Sequence, residues 1–307
     1  MKILQPTDVA IRLAAQALQN GELIGLPTET VYGIGASALD PVAIRKTFEL
    51  KRRPAENPLI VHVTSIEAAS NLVSSIPDAA RKLAKAFWPG PMTLVLPKSQ
   101  LVPDEATAGL STVAIRVPMS PVALAILAEA GIPVTAPSAN MFMSLSPTQA
   151  ANIAPEILSG LACVIDGGTC QYGVESTVID CTGPELSILR PGAITRDLIR
   201  TLTGLTVASP PLQERRSPGM YRRHYAPRTP MRLVEKLGPF DSGIGFSEPQ
   251  SKYQFQMPIE PAEYAKGLYS TLYALDQMAR LEILIESPPD DEEWEAVWDR
   301  LRKATGQ

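Results

Sequence analysis

From its start to about residue 205 the chain alternates short apolar runs with segments patterned as helices. That alternation confines it to an α/β architecture built on a central sheet. Residues 8–20 have helical spacing, with Thr7 or Asp8 as the cap and Gly21 as the stop. Residues 23–26 read as a short buried strand ending at Pro27. Asp40 followed by Pro41 places a cap and then proline at the first helical position, opening a helix to about Leu50. Residues 59–63, 92–96 and 113–117 read as strands, and Ser120-Pro121 opens a helix that Gly131 closes. Runs 132–136, 162–165, 176–180 and 186–189 complete the strand set. No repeat at 20–50 residue spacing replaces this pattern, so a twisted mixed sheet is expected.

Between residues 206 and 230 the pattern fails. The stretch is proline-rich and basic and reads as an irregular linker. Beyond it, residues 261–279 are helical, 281–286 form a strand and 291–303 an amphipathic helix. The expected organisation is therefore a catalytic-sized unit over 1–205, a linker over 206–230 and a small α/β unit over 231–307. Charge separates along the same line. Residues 1–230 hold 20 Lys+Arg against 18 Asp+Glu, while residues 231–307 hold 8 against 14. The first part can therefore hold an anionic ligand, and the second is poorly suited to grip a phosphate backbone.

Three cysteines, Cys163, Cys170 and Cys181, show no C-x-x-C spacing and read as small buried fillers. The N-terminal stretch breaks its apolar residues with Asp8, Arg12 and Gln16, unlike a signal peptide. No stretch reaches the roughly 18 apolar residues of a membrane span, so a cytoplasmic location with no membrane contact is expected. The common nucleotide signatures are missing. There is no G-x-x-x-x-G-K-[ST] loop, and Gly33-Ile34-Gly35 lacks the third glycine of a dinucleotide fingerprint. No acid or histidine cluster has metal-ligand spacing, so no protein metal site is expected.

Any phosphate must then be held by side chains and scattered amides. Lys51, Arg52 and Arg53, with Asn57 close behind, follow a helix end; such cations either fork onto phosphate or complement the helix dipole. The run around Thr30 sits where a strand gives way to a loop, a place for a ligand-facing hydroxyl or a plain capping turn. His62 lies inside an apolar strand, where a satisfied structural histidine is the base-rate reading. Arg116 in VAIRV is harder to dismiss, because a buried arginine demands an anionic partner. Ser138-Ala139-Asn140 sits where hydroxyls and amides cradle phosphate or cap a helix.

In order along the chain stand LPTETVYGIG, KRRPAENPLIVHV, WPGPMTLVL, STVAIRVP, APSAN followed by SPT, DGG, GVESTV, LRPGAI and SPGMYRRHYAP. This series closely resembles the threonylcarbamoyl-AMP synthases, in the long form with a YrdC-like domain and an appended domain. It covers residues 5–230 most strongly. The resemblance implies an α/β fold: a twisted mixed-sheet YrdC-like domain with a concave basic cleft, followed by a small C-terminal α/β domain. It implies a nucleotidyltransferase that converts L-threonine, bicarbonate and ATP to threonylcarbamoyl-AMP and pyrophosphate, for tRNA modification. Thr30, His62, Arg116, Ala136 through its backbone, and Ser176 would line the threonine site. Lys51, Arg53, Asn57, Thr112 and Ser138 would hold ATP, with Lys51 and Arg53 as the catalytic phosphate clamps. Asn140, Ser146 and Arg190 would complete that site, with His224 and Tyr225 folding back over the nucleotide. Mg2+ would arrive on the phosphates, and tRNA contact or tRNA-modification partner proteins would belong to the later step.

Three departures from the family pattern stand out. Phe142 and Met143 replace a usual serine and glycine, Tyr221 and Arg222 replace a usual lysine and tyrosine, and residues 231–307 are fewer than usual. Pro218-Gly219 is the expected hinge of the linker, which would act as a lid. The competing reading is an RNA- or nucleotide-binding YrdC-like module without synthase activity, motivated by Arg215, Arg216, Arg222, Arg223 and Arg228. A third is carbamoyl transfer to another acceptor, as in hydrogenase maturation proteins, whose zinc-type and acylphosphatase-type segments this chain lacks.

Overall fold

The computed structural model describes residues 3–208 and 224–306. Two sheets organise them. The larger has eleven strands in the order β1-β8-β2-β3-β7-β4-β6-β5-β9-β10-β11. Its strands are β1 (Ile3–Leu4), β2 (Ile24–Pro27), β3 (Tyr32–Ser37), β4 (Ile60–His62), β5 (Met92–Pro97) and β6 (Thr112–Arg116). They continue with β7 (Val134–Thr135), β8 (Cys163–Ile165), β9 (Thr177–Asp180), β10 (Leu186–Arg190) and β11 (Val207–Ala208). Parallel pairs such as β4–β6 and antiparallel pairs such as β5–β6 coexist, so the sheet is mixed, as the alternation predicts.

Local chemistry sets the element ends. Helix Asp8–Gln19 is capped by Thr7, whose hydroxyl accepts from the Ala10 amide at 3.3 Å. Helix Pro41–Lys51 is capped by Asp40 and begins on proline. Helix Pro121–Ala130 ends at Gly131. Ala10, Ala14, Ala17 and Leu18 recur at helical spacing and bury against Ile126, Leu127 and Ala130 of that helix. A larger core joins Ile44 and Phe48 to Val61, Leu94 and Ile115 of the sheet. All three cysteines are free and buried, as small apolar fillers should be.

Several elements depart from the sequence expectation. β3 replaces the loop expected after Pro27. It pairs antiparallel with β2, Pro27 opposite Tyr32, leaving residues 28–31 as the turn. Gly33 and Gly35 hide this strand because glycine carries no strand propensity. The space explains Gly35: a Cβ there would stand 2.9 Å from Ile24 Cγ1. The strand expected over 132–136 shrinks to Val134–Thr135. Helices Asp78–Phe87 and Arg196–Thr203 add to the expected set. β11 pairs with β10, so the large sheet runs three residues past the expected boundary at 205.

The smaller sheet is wholly parallel, in the order β12-β15-β13-β14. Its strands are β12 (Met231–Val234), β13 (Gly243–Gly245), β14 (Gln254–Gln256) and β15 (Ile283–Glu286). Only β15 was expected, because the others are short and carry glycine or polar residues. Helices Pro261–Gln277 and Glu295–Thr305 pack on it. The core of this unit is not its own alone. Val31, Leu145, Val174 and Tyr225 join it, so the two units share buried apolar surface.

Gly192 lies where the backbone crosses the segment leading into β9. A Cβ there would stand 2.4 Å from the Thr177 nitrogen and 2.5 Å from the Glu175 carbonyl oxygen. Gly192→Ala should therefore lower stability by about 1–3 kcal/mol through overpacking, read from urea unfolding. A variant as stable as the parent would contradict this close approach.

Candidate active site

Side chains from many strand ends converge on one cavity. The turn at 28–31 supplies Thr30, and β4 and β6 end side by side on His62 and Arg116. The chain leaving β7 supplies Ala136 and Ser138. Ser176 precedes β9 and Arg190 ends β10. Arg53 enters from beyond helix Pro41–Lys51, and His224 and Tyr225 close the remaining side. Ten of the expected site residues thus line one hollow, drawn from positions far apart in sequence.

Arg116 is 3% exposed, and the partner that burial demands is Glu29, whose Oε1 accepts from Nη2 at 2.5 Å. Nη1 donates to the Thr30 hydroxyl at 3.0 Å and Nε to the Gly90 carbonyl at 3.2 Å. Those three bonds aim the fork, and its two remaining N–H groups have no other partner among the described residues. His62 beside it is buried. Desolvation, then the Arg116 charge, push its pKa down to about 3, so the ring is neutral. Its Nδ1 has no partner among the described residues.

A second group is built around Lys51, 1% exposed at its helix end. Its ammonium donates to the Ser138 carbonyl and, at 2.6 Å, to the Asn140 carbonyl. Burial, then Arg53, lower its pKa well below the ordinary lysine value, against the pull of Glu175. Arg53 Nη2 donates to the Pro58 carbonyl at 3.2 Å. Arg190 grips the chain at Ser176, through Nε to the carbonyl at 3.1 Å and Nη2 to the hydroxyl at 3.0 Å. That hydroxyl also meets Thr93 Oγ1 at 2.8 Å.

Four expected residues stand back from the cavity wall with Lys51. Asn57 is buried and ties its own loop, donating to the Pro54 carbonyl at 3.2 Å. Asn140 donates to the Met141 and Ser144 carbonyls at 2.9 and 2.7 Å, shaping the loop that follows. Ser146 donates to Glu175 Oε1 at 2.5 Å. Thr112 starts β6, four residues before Arg116 and toward the other end of that strand.

His224 and Tyr225 are held from both units. The His224 amide donates to the Lys303 carbonyl at 3.0 Å, and the Ala226 amide to the Met143 carbonyl at 2.9 Å. Met143 adopts φ +70°, the left-handed turn that favours glycine, and Phe142 meets the His224 ring edge-on at 6.0 Å. The turn of a glycine-bearing loop is thus kept without the glycine. Burial lowers the His224 pKa to about 3, and its Nδ1 has no partner among the described residues. Of the basic linker residues, Arg228 is exposed and pairs with Asp276 at 3.3 Å. Arg215, Arg216, Tyr221, Arg222, Arg223 and the Pro218-Gly219 hinge lie outside the described residues.

Sequence reasoning passed over the acids that hold these cations. Glu29 and Glu175 both lie inside the ordered motifs, and the need of the buried arginines for carboxylate partners was the signal available. Glu175 accepts from Ser146, from Tyr269 at 3.1 Å and from Arg300 Nε at 2.9 Å. Burial raises its pKa, but Arg300, then Arg190 and the Ser146 hydroxyl, bring it down to about 2. Arg300 carried no signal, since a charged residue on an amphipathic helix reads as surface.

Comparison with known proteins agrees with this geometry. Residues 16–192 match the Sua5–YciO–YrdC family model, described as telomere recombination, and residues 194–306 match the threonylcarbamoyl-AMP synthase C-terminal domain model. The chain is 40% identical to the threonylcarbamoyl-AMP synthase of Pyrococcus abyssi, over 96% of this chain and 94% of that protein. It is 37% identical to that of Bacillus subtilis, over 99% and 95%. The crystal structure of P. abyssi Sua5 complexed with L-threonine matches with a TM-score of 0.92 at 37% identity, covering 100% of this chain and 98% of that one. No described helix is long and apolar enough to cross a membrane. The chain belongs to the threonylcarbamoyl-AMP synthase family of nucleotidyl-transferring enzymes.

Proposed function

We propose that this chain joins L-threonine, bicarbonate and ATP into threonylcarbamoyl-AMP, releasing pyrophosphate and water, with the two substrates seated on opposite sides of the cavity. The observation that carries this reading is the convergence of Arg53, Arg116 and Arg190 on one hollow with two neutral histidines whose Nδ1 atoms lack partners among the described residues, and Lys51 immediately behind it. Buried polar atoms without partners are rare and call for an explanation, which a bound ligand supplies here. Threonine takes the His62 side. Its carboxylate pairs with the two remaining N–H groups of Arg116, and its hydroxyl meets His62 and Thr30, with Ser176 and the Ala136 backbone as the far wall. ATP takes the side of Lys51, Arg53, Ser138 and Arg190, with Asn57, Asn140 and Ser146 bracing the loops and Thr112 at the periphery.

The threonine amine and bicarbonate give a carbamate and water. A carbamate oxygen then attacks the α-phosphorus, and the bond to pyrophosphate breaks. No protein nucleophile is required; alignment of two anions and neutralisation of phosphate charge supply the rate. A triphosphate beside Lys51 favours the protonated amine, against the effect of burial. Mg2+ enters as part of the substrate. Among the described residues no cluster of three acids, histidines or cysteines could hold a metal, and Glu29 and Glu175 are engaged by arginines. His224 and Tyr225 shield the labile adenylate from water. The product then passes to tRNA modification in the cytoplasm. A binding module without catalysis is disfavoured, since relatives similar over almost the whole chain are threonylcarbamoyl-AMP synthases.

Pyrophosphate release should require threonine and bicarbonate together; release that proceeds equally without threonine would overturn this reading. Arg116→Lys keeps a charge against Glu29 but loses the fork. It should raise the threonine KM about 10- to 100-fold, the equivalent of about 1.5–3 kcal/mol, and move the ATP KM less than about twofold. His62→Phe should follow the same selectivity with a smaller rise, about tenfold for one neutral hydrogen bond. Equal effects on both substrates would contradict the two-sided assignment.

A further inference from the structure

Among the described residues Arg300 is the largest of the fully buried side chains, 1% exposed, yet it belongs to the last helix of the second unit. Its guanidinium reaches into the first unit. Nε donates to Glu175 Oε2 at 2.9 Å, Nη2 to the Glu175 carbonyl at 3.4 Å, and Nη1 to the Pro191 carbonyl at 2.8 Å. Nη1 also meets Asp299 on its own helix at 2.7 Å, and Cζ lies 5.1 Å from the centre of the Tyr225 ring.

These contacts share one destination. Glu175 fixes the Ser146 hydroxyl at 2.5 Å, and Pro191 directly follows Arg190 in the chain. Tyr225 walls the cavity. Each group that Arg300 reaches in the first unit thus adjoins a residue assigned to ATP, although Glu175 also precedes Ser176 of the threonine wall, whereas Arg116 is aimed by Glu29, Thr30 and Gly90 without it. Adhesion between the units does not need this charge. The shared apolar core and the Arg196–Glu295 pair at 3.0 Å already join them, and a buried ion pair is commonly no better for stability than apolar side chains of similar volume.

We propose that Arg300, acting through Glu175, is a positioning residue for the nucleotide side of the active site, so that the second unit is a working part of the enzyme and not an appendage. This rests on the assignment of Ser146, Arg190 and Tyr225 to ATP. Without Arg300 the Glu175 carboxylate keeps Ser146 and Tyr269 but loses its closest cation, and the loop and ring that face the nucleotide lose a common anchor.

The test uses the full chain with Arg300→Met, Arg300→Lys, Glu175→Gln and the double variant E175Q/R300M. Threonine- and bicarbonate-dependent pyrophosphate release is measured against ATP and against threonine, beside urea unfolding. Arg300→Met should raise the ATP KM about tenfold or more while the threonine KM stays within about twofold. Arg300→Lys should fall between it and wild type. The double variant should be less impaired than Arg300→Met, because no buried carboxylate is left without its cation. Should Arg300→Met not fold, the double variant and Arg300→Lys carry the same KM comparison. A fall in kcat with both KM values unchanged marks a merely structural role and overturns the proposal, as do equal rises in both KM values. A wild-type chain that releases no threonine-dependent pyrophosphate overturns the proposed reaction instead. Binding of a non-hydrolysable ATP analogue by wild type and the variants then decides the positioning role by itself: weakening in Arg300→Met or Arg300→Lys supports it, and equal affinity overturns it.

Discussion

Buried cations cannot share a hollow without counter-charge, and that constraint organises the rest of this molecule. Lys51, Arg53, Arg116 and Arg190 are each less than a tenth exposed around one cavity. Removing such charges from water costs several kcal/mol apiece unless hydrogen bonds and opposite charges compensate. Two acids share the task. Glu29 holds Arg116, and Glu175 stands between Arg300 and the Arg190 side while also pulling on Lys51. Three carboxylates, Asp299 beside Arg300 included, against four inward cations and Arg300 leave the hollow positive, which is what an anionic ligand requires. The same balance keeps both histidines neutral, since adding a further positive charge there would be opposed by burial and by the neighbouring cations.

The two acids differ in what they secure. Glu29 and Thr30 belong to the turn between β2 and β3, so the guanidinium of Arg116 is aimed by a short, local device. Glu175 instead collects groups from four places: the loop at Ser146, the strand end at Arg190 and two helices of the second unit. Its alignment depends on how those units meet. Their meeting is fixed by apolar contact, with Val31, Leu145, Val174 and Tyr225 entering the core of the smaller unit. Non-directional burial brings the surfaces together, and the directional ion pair then sets the register of polar groups within them.

How much of this was legible in the sequence depended on whether a residue violated its local pattern. Arg116 did so, as a charge in an apolar strand, and its need for a partner could be read in advance. The sheet was legible for a similar reason, because apolar runs bounded by caps and glycines leave few alternatives. β3 was not, since Gly33 and Gly35 serve a close approach to neighbours and carry no strand signal. Lys51 and Arg53 were ambiguous, because cations at a helix end satisfy a dipole whether or not they also face a ligand. Arg300 was invisible. Its helix is amphipathic, and which charged position faces inward is decided by the partner surface and not by helical spacing. The ordered motifs supplied the family; contacts between distant segments supplied the arrangement.

Met143 shows how far such an arrangement tolerates local cost. A non-glycine residue at φ +70° carries about 1–2 kcal/mol of steric penalty relative to the right-handed region. It is retained where its carbonyl accepts the Ala226 amide at 2.9 Å and its neighbour Phe142 meets the His224 ring. The strained turn therefore lies under the segment that walls the cavity, and an aromatic face stands where a serine is usual. Phe142 does not itself line the cavity; it acts at one remove, through the His224 ring that does. The cost of the left-handed turn is thus spent on fixing the backbone and ring of the segment that closes the hollow, and not on a direct contact with a ligand.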